Sequence, residues 1–178
     1  MKKESNLLVS GLAILLMSIC FGTNAYSQKI NAIPITTAVT DYQNQTFNNV
    51  SFHDLILGMQ STTYLSNGVI ENPADNVGTP IKLHVDASSL HLLNQNLPGF
   101  DDIVVLEIKI KSSSELALLR TISSFNNLPA LKVIYISCSY LVCGSNGTEA
   151  CQKQTIGNNM NEISFPGLIT VYSSYLEN

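Results

Sequence analysis

The chain has 178 residues, a formal net charge of −4 at pH 7 and a mean hydropathy of +0.18. Hydrophobic residues make up 45% of the chain and charged residues only 12%, which is enough apolar material for one globular domain with a core. Phosphate backbones are bound by clustered lysines and arginines, and Arg120 is the single arginine here, so we expect no nucleic-acid partner.

The first 27 residues resemble a secretory signal peptide. Two lysines supply a positively charged start, an apolar run follows from Leu7 to Phe21, and Ala25 and Ser27 are the small residues that precede a cleavage site. Cleavage after Ser27 would leave a mature protein of residues 28–178, either secreted or periplasmic. The ending of the segment resembles those of exported bacterial proteins.

Two alternatives to a cleaved leader use the same segment. A membrane anchor would need roughly 20 apolar residues to span a bilayer, and this run is shorter. A lipoprotein would be lipidated on Cys20, but Ile19 occupies the preceding position, where a small residue is required. We therefore expect no membrane span after the leader is removed.

The pattern between the leader and residue 80 is weak. Residues 28–46 are polar and irregular, with a short strand predicted near Ile35 to Val39. Ser51 and Asp54 resemble a capping box, and the apolar residues that follow predict a helix from Ser51 to Leu65. Turn and loop are predicted for Asn67-Gly68 and for Asn72 to Pro80.

From residue 81 onward, strands and helices alternate. Apolar and polar residues alternate within the strand segments, which is the period of a half-buried strand. Ser112 and Glu115 form a capping box before an apolar stripe, which predicts the clearest helix of the chain. The predicted elements are strands over 81–86, 103–110, 131–137 and 168–173, helices over 88–95 and 112–126, and a long polar loop over 141–164.

Equivalent apolar positions recur at a fixed spacing, as in Ile81, Leu106 and Leu131, which lie 25 residues apart. Each interval contains a strand, a helix and a Leu-Pro turn. A strand–helix period of 20–29 residues is typical of leucine-rich repeats. Residues 81–140 therefore resemble degenerate leucine-rich repeats, and Leu128 to Ser139 is most like one unit. The resemblance implies a one-sided, mostly parallel sheet, as in a solenoid.

The chain also departs from the pattern of that family. The asparagine of the repeat's turn is absent, and Lys111 and Ser139 stand at the strand ends instead. Any strand–helix–strand crossover produces a similar period, so a compact two-layer α/β sandwich is the alternative fold. Both interpretations give a single α/β domain over residues 28–178, with a repeat-like core over 81–140 and a C-terminal segment over 141–178.

Both folds would cover one sheet face with helices and leave the other face wet, because polar residues occupy every second strand position. A 25-residue register would place Lys82, Glu107 and Lys132 side by side, with Asp86 next to Lys111. We predict that the open face is a binding surface. Its candidate residues are Lys82, His84, Asp86, Glu107, Lys109 and Lys111.

Three cysteines remain in the predicted mature protein. Cys143 and Cys151 flank a turn-rich loop, and in an oxidising compartment we expect them to form a disulfide. Cys138 would then be an unpaired thiol that packs in the core. The cysteine spacing matches no zinc motif and no histidine is near in sequence, so no metal site is predicted.

Tyrosines are frequent in the C-terminal third of the chain: Tyr135, Tyr140, Tyr172 and Tyr175. Tyrosine is favoured in recognition surfaces, but at strand spacing it serves equally well in core or edge packing. The sequence alone is compatible with a binding role and with a packing role for these tyrosines.

The sequence contains no nucleophile elbow, phosphate loop or dinucleotide fingerprint, so we assign no catalytic residue and expect no cofactor. We predict an exported, non-enzymatic binding protein that contacts a protein or envelope component through the open sheet face. The alternative is an extracytoplasmic hydrolase of unrecognised type. That activity would require His84 or His53 to meet carboxylates from other strands.

Overall fold

The computed structural model describes residues 32–72, 78–95, 97–160 and 167–174. The predicted leader over residues 1–27 and Tyr175 lie outside these ranges. Within them, no helix combines the length and apolar character needed to cross a membrane.

Strands and short helices alternate along the described chain. The strands are β1 (Ile33–Pro34), β2 (Thr46–Phe47), β3 (Val50–Ser51), β4 (Thr62–Ser66), β5 (Val69–Glu71), β6 (Lys82–Asp86), β7 (Val105–Ile110), β8 (Val133–Cys138) and β9 (Ile169–Ser174). The α-helices are α1 (Ile35–Asp41), α2 (Phe52–Leu57), α3 (Ser113–Leu116) and α4 (Glu149–Met160). Two 3₁₀ helices cover Ala87–Asn94 and Ala117–Thr121.

Seven of the strands form one sheet in the order β1-β9-β8-β7-β6-β4-β5. All neighbours pair in parallel except β5, which is antiparallel to β4. The sheet does not close into a barrel, and β2 and β3 form a separate two-stranded hairpin. The predicted α/β class with a mostly parallel sheet is therefore confirmed.

The pairing register differs from the expected 25-residue spacing. The partner pairs Thr62–Lys82, Lys82–Val105, Val105–Val133 and Val133–Ile169 are separated by 20, 23, 28 and 36 residues. The connections differ in length and content, with the strand β5 between β4 and β6 and helices between the later strands, so no single interval sets the register. The expected row of Lys82, Glu107 and Lys132 is wrong. Lys132 precedes β8 and is exposed.

One sheet face, called here the first face, is covered by α3, α4 and the two 3₁₀ helices. Its strand side chains are fully buried, including Leu83, Leu106, Ile108 and Ile134. They pack with residues of the covering helices such as Leu90, Leu119, Ile156 and Met160 in one hydrophobic cluster. This cluster is the main core of the domain.

The opposite face, called the second face, is partly covered by residues 33–57, which connect β1 at one edge of the sheet to β4 near the other edge. Side chains of α1 and α2 pack there on the strands as a second hydrophobic cluster, with Phe52 and Leu55 fully buried against Val105, Val133 and Val171. The expected open face is therefore covered near the amino-terminal ends of the strands. It stays accessible over the carboxyl-terminal halves of β4, β6 and β7.

The helix predicted over 51–65 is correct only at its start. Ser51 caps α2 by accepting a hydrogen bond from the Asp54 N–H at 3.1 Å, but the helix ends at Leu57. A strand and hairpin follow, because Asn67 and Gly68 adopt positive φ of 51° and 79°, the values of a type I′ turn. The β-branched and aromatic residues before this turn favour β4 over a longer helix.

Three other predicted elements also differ from the structure. The strand predicted near Ile35 to Val39 is instead part of α1. The helix predicted over 112–126 ends at Thr121 and continues as a 3₁₀ helix after its first turn. The loop predicted over 141–164 contains α4, which sequence patterning missed because this helix buries only Ile156, Gly157 and Met160.

Candidate functional site

The accessible part of the second face carries two neighbouring rows of side chains. Tyr64, His84 and Glu107 are paired across β4, β6 and β7 in one row. In the next row towards the carboxyl ends, Asp86 pairs with Lys109, and Ser66 lies two residues beyond Tyr64 on β4. We call these six residues the polar cluster. Parallel sheets commonly place their functional groups at this end of the strands.

Glu107 lies at the centre of the polar cluster and is bound by a lysine from the adjacent strand. Its Oε2 atom accepts from Lys82 Nζ at 2.6 Å, and the two side chains are only 17% and 11% exposed. The Lys82 ammonium also lies 3.5 Å from the Ile56 carbonyl near the end of α2. Lys82, a predicted binding residue, therefore connects the sheet to α2 and is itself buried.

His84 stands between an aromatic ring and the Glu107 carboxylate. Its Nδ1 atom lies 3.7 Å from Glu107 Oε1, and its ring centroid is 5.4 Å from that of Tyr64. The two rings are tilted by 41°. Tyr64 is 38% exposed, so a flat aromatic surface borders the polar cluster on the β4 side.

The environment of Glu107 keeps it ionised. Burial disfavours its charged form, but hydrogen bonding and charge interactions with His84 and Lys82 outweigh burial and lower the pKa of Glu107 to about 2. Glu107 is consequently an acceptor at every physiological pH and cannot serve as a proton donor there.

Asp86 is held by groups from both adjacent strands. Its Oδ2 atom accepts from the Ser66 hydroxyl at 2.5 Å, and its Oδ1 atom lies 4.0 Å from Lys111 Nζ just beyond the end of β7. The expected proximity of Asp86 and Lys111 is therefore present, although Lys109 is the residue in register with Asp86. The Lys111 side chain is 58% exposed.

Lys109 differs from the other charged residues of the polar cluster. It is half-buried, and its register neighbours are Asp86 on β6 and Ser137 on β8. Within the described ranges, no carboxylate oxygen lies within ion-pairing distance of its ammonium. In the described part of the chain, its charge is not compensated by an ion pair.

The tyrosines of the C-terminal third mostly serve packing. Tyr135 and Tyr172 are buried, and the Tyr135 hydroxyl lies 2.8 Å from that of Ser173. Tyr140 is half-buried against the core of the first face. The tyrosine that borders the polar cluster, Tyr64, was assigned to a helix by sequence patterning. The strand-like run before Asn67-Gly68 was the signal that could have located it.

The cysteines are placed as the sequence predicts. Cys143 and Cys151 form a disulfide, and Cys138 is a buried free thiol on the first face. Burial raises the pKa of Cys138 to about 12, so this thiol stays neutral and is not a nucleophile. Among the described residues, no group of three or more histidines, cysteines and acidic residues is arranged to hold a metal ion.

No family model, curated protein or solved structure matches this chain. Its function is therefore inferred from the geometry of the polar cluster and from the sequence.

Proposed function

We propose that this chain is an exported, non-enzymatic binding protein that contacts a protein or another envelope component through the polar cluster. The observation that carries this proposal is the partial cover on the second face. Residues 33–57 bury the amino-terminal ends of the strands, whereas Tyr64, His84, Asp86 and Lys109 remain accessible beside them.

The contacts within the polar cluster suit a pre-organised binding surface. Glu107 is neutralised by Lys82, and Asp86 is bound by Ser66, so these side chains have fixed positions on rigid strands. Tyr64 adds an exposed aromatic ring, the kind of group that often contributes most to binding energy at protein interfaces. Lys109 adds a charge that a ligand can neutralise.

The strand connections support the resemblance to leucine-rich repeats. Consecutive strands from β6 to β9 are neighbours in the sheet, and their connecting helices pack on the first face. The β6–β7 and β7–β8 offsets, 23 and 28 residues, fall within the 20–29 range of such repeats, whereas the β8–β9 offset of 36 residues does not. A solenoid-like arrangement would make the second face its binding side.

The disulfide supports the proposed location. Bonds of this kind persist in oxidising compartments such as the bacterial periplasm and the extracellular space. Cys143–Cys151 therefore fits a protein that is exported by the leader over residues 1–27.

Site-specific photo-crosslinking in the exporting cell tests the binding proposal. A photoreactive amino acid replaces Tyr64 in one variant and Lys153, an exposed residue of α4, in a control variant. We expect a discrete adduct from position 64 that is absent from position 153. Once mass spectrometry has identified the adduct, the purified partner should bind Y64A and K109E at least about tenfold more weakly than the unmodified protein, a loss of about 1.4 kcal/mol.

The control for these substitutions is K153E, which changes the same type of charge on α4 and should bind normally. Identical adducts at positions 64 and 153, or full affinity in both Y64A and K109E, would show that the polar cluster is not the binding site.

A hydrolase is the second candidate, and the contact between His84 and Glu107 favours it. A carboxylate beside an imidazole orients the ring and stabilises its protonated form in many acyl-transfer enzymes. The neighbouring hydroxyls of Ser66 and Tyr135 already contact Asp86 and Ser173, respectively. Hydrolysis of small activated esters that is lost in H84Q and retained in K109E would support this candidate over binding alone.

A further inference from the structure

The two edge strands of the main sheet differ in their capacity to pair with another strand. At one edge, β1 has two residues, and Pro34 lacks a backbone N–H. At the other edge, β5 carries no proline. Within the described ranges, β5 pairs only with β4, so no described strand occupies its outer side.

The hairpin register identifies which backbone groups of β5 point outward. Ser66 and Val69 flank the two-residue turn and form its closing, hydrogen-bonded pair. Hydrogen-bonded and non-hydrogen-bonded pairs alternate along an antiparallel ladder, so Leu65 and Ile70 form the next, non-hydrogen-bonded pair. The N–H and C=O of Ile70 consequently point away from β4, towards the open edge.

Exposed apolar side chains are concentrated in the stretch of chain that leads into β5. In the described part of the chain, the large hydrophobic residues that are exposed are Leu57 at 54%, Met59 at 105%, Tyr64 at 38% and Val69 at 54%. All four lie in the stretch from the end of α2 to the start of β5. Soluble proteins usually protect an edge strand with charges, and β5 carries only Glu71.

We propose that β5 pairs with β5 of a second copy of this chain, antiparallel about a twofold axis through Ile70. The Ile70 residues of the two copies would then exchange both N–H···O=C bonds. In this register Glu71 lies opposite Val69 of the other copy, so the two identical carboxylates do not face each other. An antiparallel edge is complementary to itself, which makes a second copy the partner that the strand fits without any other surface.

The dimer has a consequence for the arrangement of the polar clusters. A twofold axis between antiparallel strands of one continuous sheet is perpendicular to that sheet. The second faces of both copies therefore point to the same side. Two polar clusters on one side would bind a repetitive or surface-attached ligand with avidity. The pairing itself does not depend on the proposed function.

Light scattering on the mature protein during size-exclusion chromatography tests for the dimer. Because the interface is small, we expect a reversible monomer–dimer equilibrium within about 1–500 μM. The substitution V69E places a second carboxylate opposite Glu71 of the other copy and should raise the dissociation constant at least about tenfold, because like charges that face each other across an antiparallel pair repel. V69T keeps the branched shape without a charge and is the matched control. Val69 is exposed, so both variants should fold.

Cross-linking between two cysteine variants tests the register. V69C chains mixed with E71C chains should form an interchain disulfide under mild oxidation, whereas V69C alone should form little. The native cysteines do not interfere, because Cys138 is buried and the other two are bonded. A monomer throughout the concentration range overturns the proposal. A dimer that V69E leaves intact, or equal cross-linking of V69C with itself, also overturns it.

Discussion

At the scale of single residues, Lys82 and Glu107 form the contact on which the polar cluster depends. Both side chains are largely buried, and their charged atoms are 2.6 Å apart. Removing one member of such a pair leaves an uncompensated charge in a poorly solvated site, which is more costly than the pair itself is stabilising. The pair therefore fixes the positions of the two side chains more than it adds to the free energy of unfolding.

We expect K82M and E107Q to lower the free energy of unfolding by about 2–4 kcal/mol each, because each leaves one buried charge unpaired. The double variant K82M/E107Q should lose far less than the sum of the two. Urea denaturation of the four proteins in a double-mutant cycle measures this coupling. Additive losses would show that the two side chains do not interact energetically.

The pair of Asp86 and Lys111 provides the control. Its charged atoms are 4.0 Å apart, and the Lys111 side chain is 58% exposed. Solvent screens such a pair, so the coupling between D86N and K111M should be within about 0.5 kcal/mol.

Glu107 also predicts a pH dependence. Its pKa is lowered from 4.5 to about 2 in the folded chain, so the unfolded chain binds the proton more readily. The resulting contribution of about 3 kcal/mol is present above pH 4.5 and is lost as the pH falls from 4.5 towards 2.

Denaturation curves at several pH values should therefore show a smaller loss of stability across this acidic window in E107Q than in the unmodified protein. Equal slopes in both proteins would mean that Glu107 titrates normally in the folded chain.

At the scale of elements, α4 is held by more than its own helix propensity. It buries only three residues, and the disulfide ties its first turn to the preceding loop. The Tyr172 hydroxyl donates to the Glu149 carbonyl at 3.4 Å, which connects the start of α4 to β9. The Thr148 hydroxyl accepts from the Cys151 N–H at 3.2 Å.

Replacing both cysteines, in C143S/C151S, should lower the free energy of unfolding by about 2 kcal/mol, since the disulfide closes a loop with a sequence separation of 8. Thermal denaturation of the oxidised protein, the reduced protein and the double variant measures the loss. Unchanged stability in all three would mean that the neighbouring hydrogen bonds already constrain the loop. C138S keeps the disulfide and serves as a control for buried packing, so reduction should lower its stability by as much as it lowers that of the unmodified protein.

At the scale of the whole molecule, the centre of the sheet should be its most stable part. β7 and β8 are covered on the first face by the main core and, at their amino-terminal ends, on the second face by residues of α1 and α2. β5 is an edge strand with exposed residues at both ends. Local openings should therefore occur at the β4–β5 hairpin before the centre of the sheet opens.

Hydrogen exchange measured by mass spectrometry checks this order. Amides in β7 and β8 should exchange only when the whole domain unfolds. Amides in β5 should exchange much faster, through local opening of the hairpin. Because dimerisation would protect β5, the exchange of its amides should also slow with increasing protein concentration in the unmodified chain and stay constant in V69E. Equal protection of β5 and β8 at low concentration would contradict the predicted order.

Several elements were predictable because their signals are local. The strands β6, β7, β8 and β9 follow from apolar alternation, the cap of α3 from Ser112 and Glu115, and the disulfide from a turn-rich loop between two cysteines. α1 and α4 were missed because their buried residues are few and far apart, so tertiary packing stabilises them more than local pattern.

The candidate site was predictable only as a set of residues on one face. Period-2 alternation places Lys82, His84, Asp86, Glu107 and Lys109 on the same side of the sheet, and the structure agrees. Tyr64 was assigned to a helix, because the capping box at Ser51 carries no information about where that helix ends. The pairing of Lys82 with Glu107 was expected from a wrong register and occurs along a diagonal instead.

The sequence by itself determined which residues alternate, which cysteines pair and that the sheet is mostly parallel, since these follow from short-range periodicity and spacing. The tertiary structure decided the register and the cover of each face. Register depends on how each connection packs, and connections of unequal length have no common period. The route of residues 33–57 across the second face depends on contacts far apart in sequence. That route buried Lys82 and left Tyr64, His84 and Lys109 accessible.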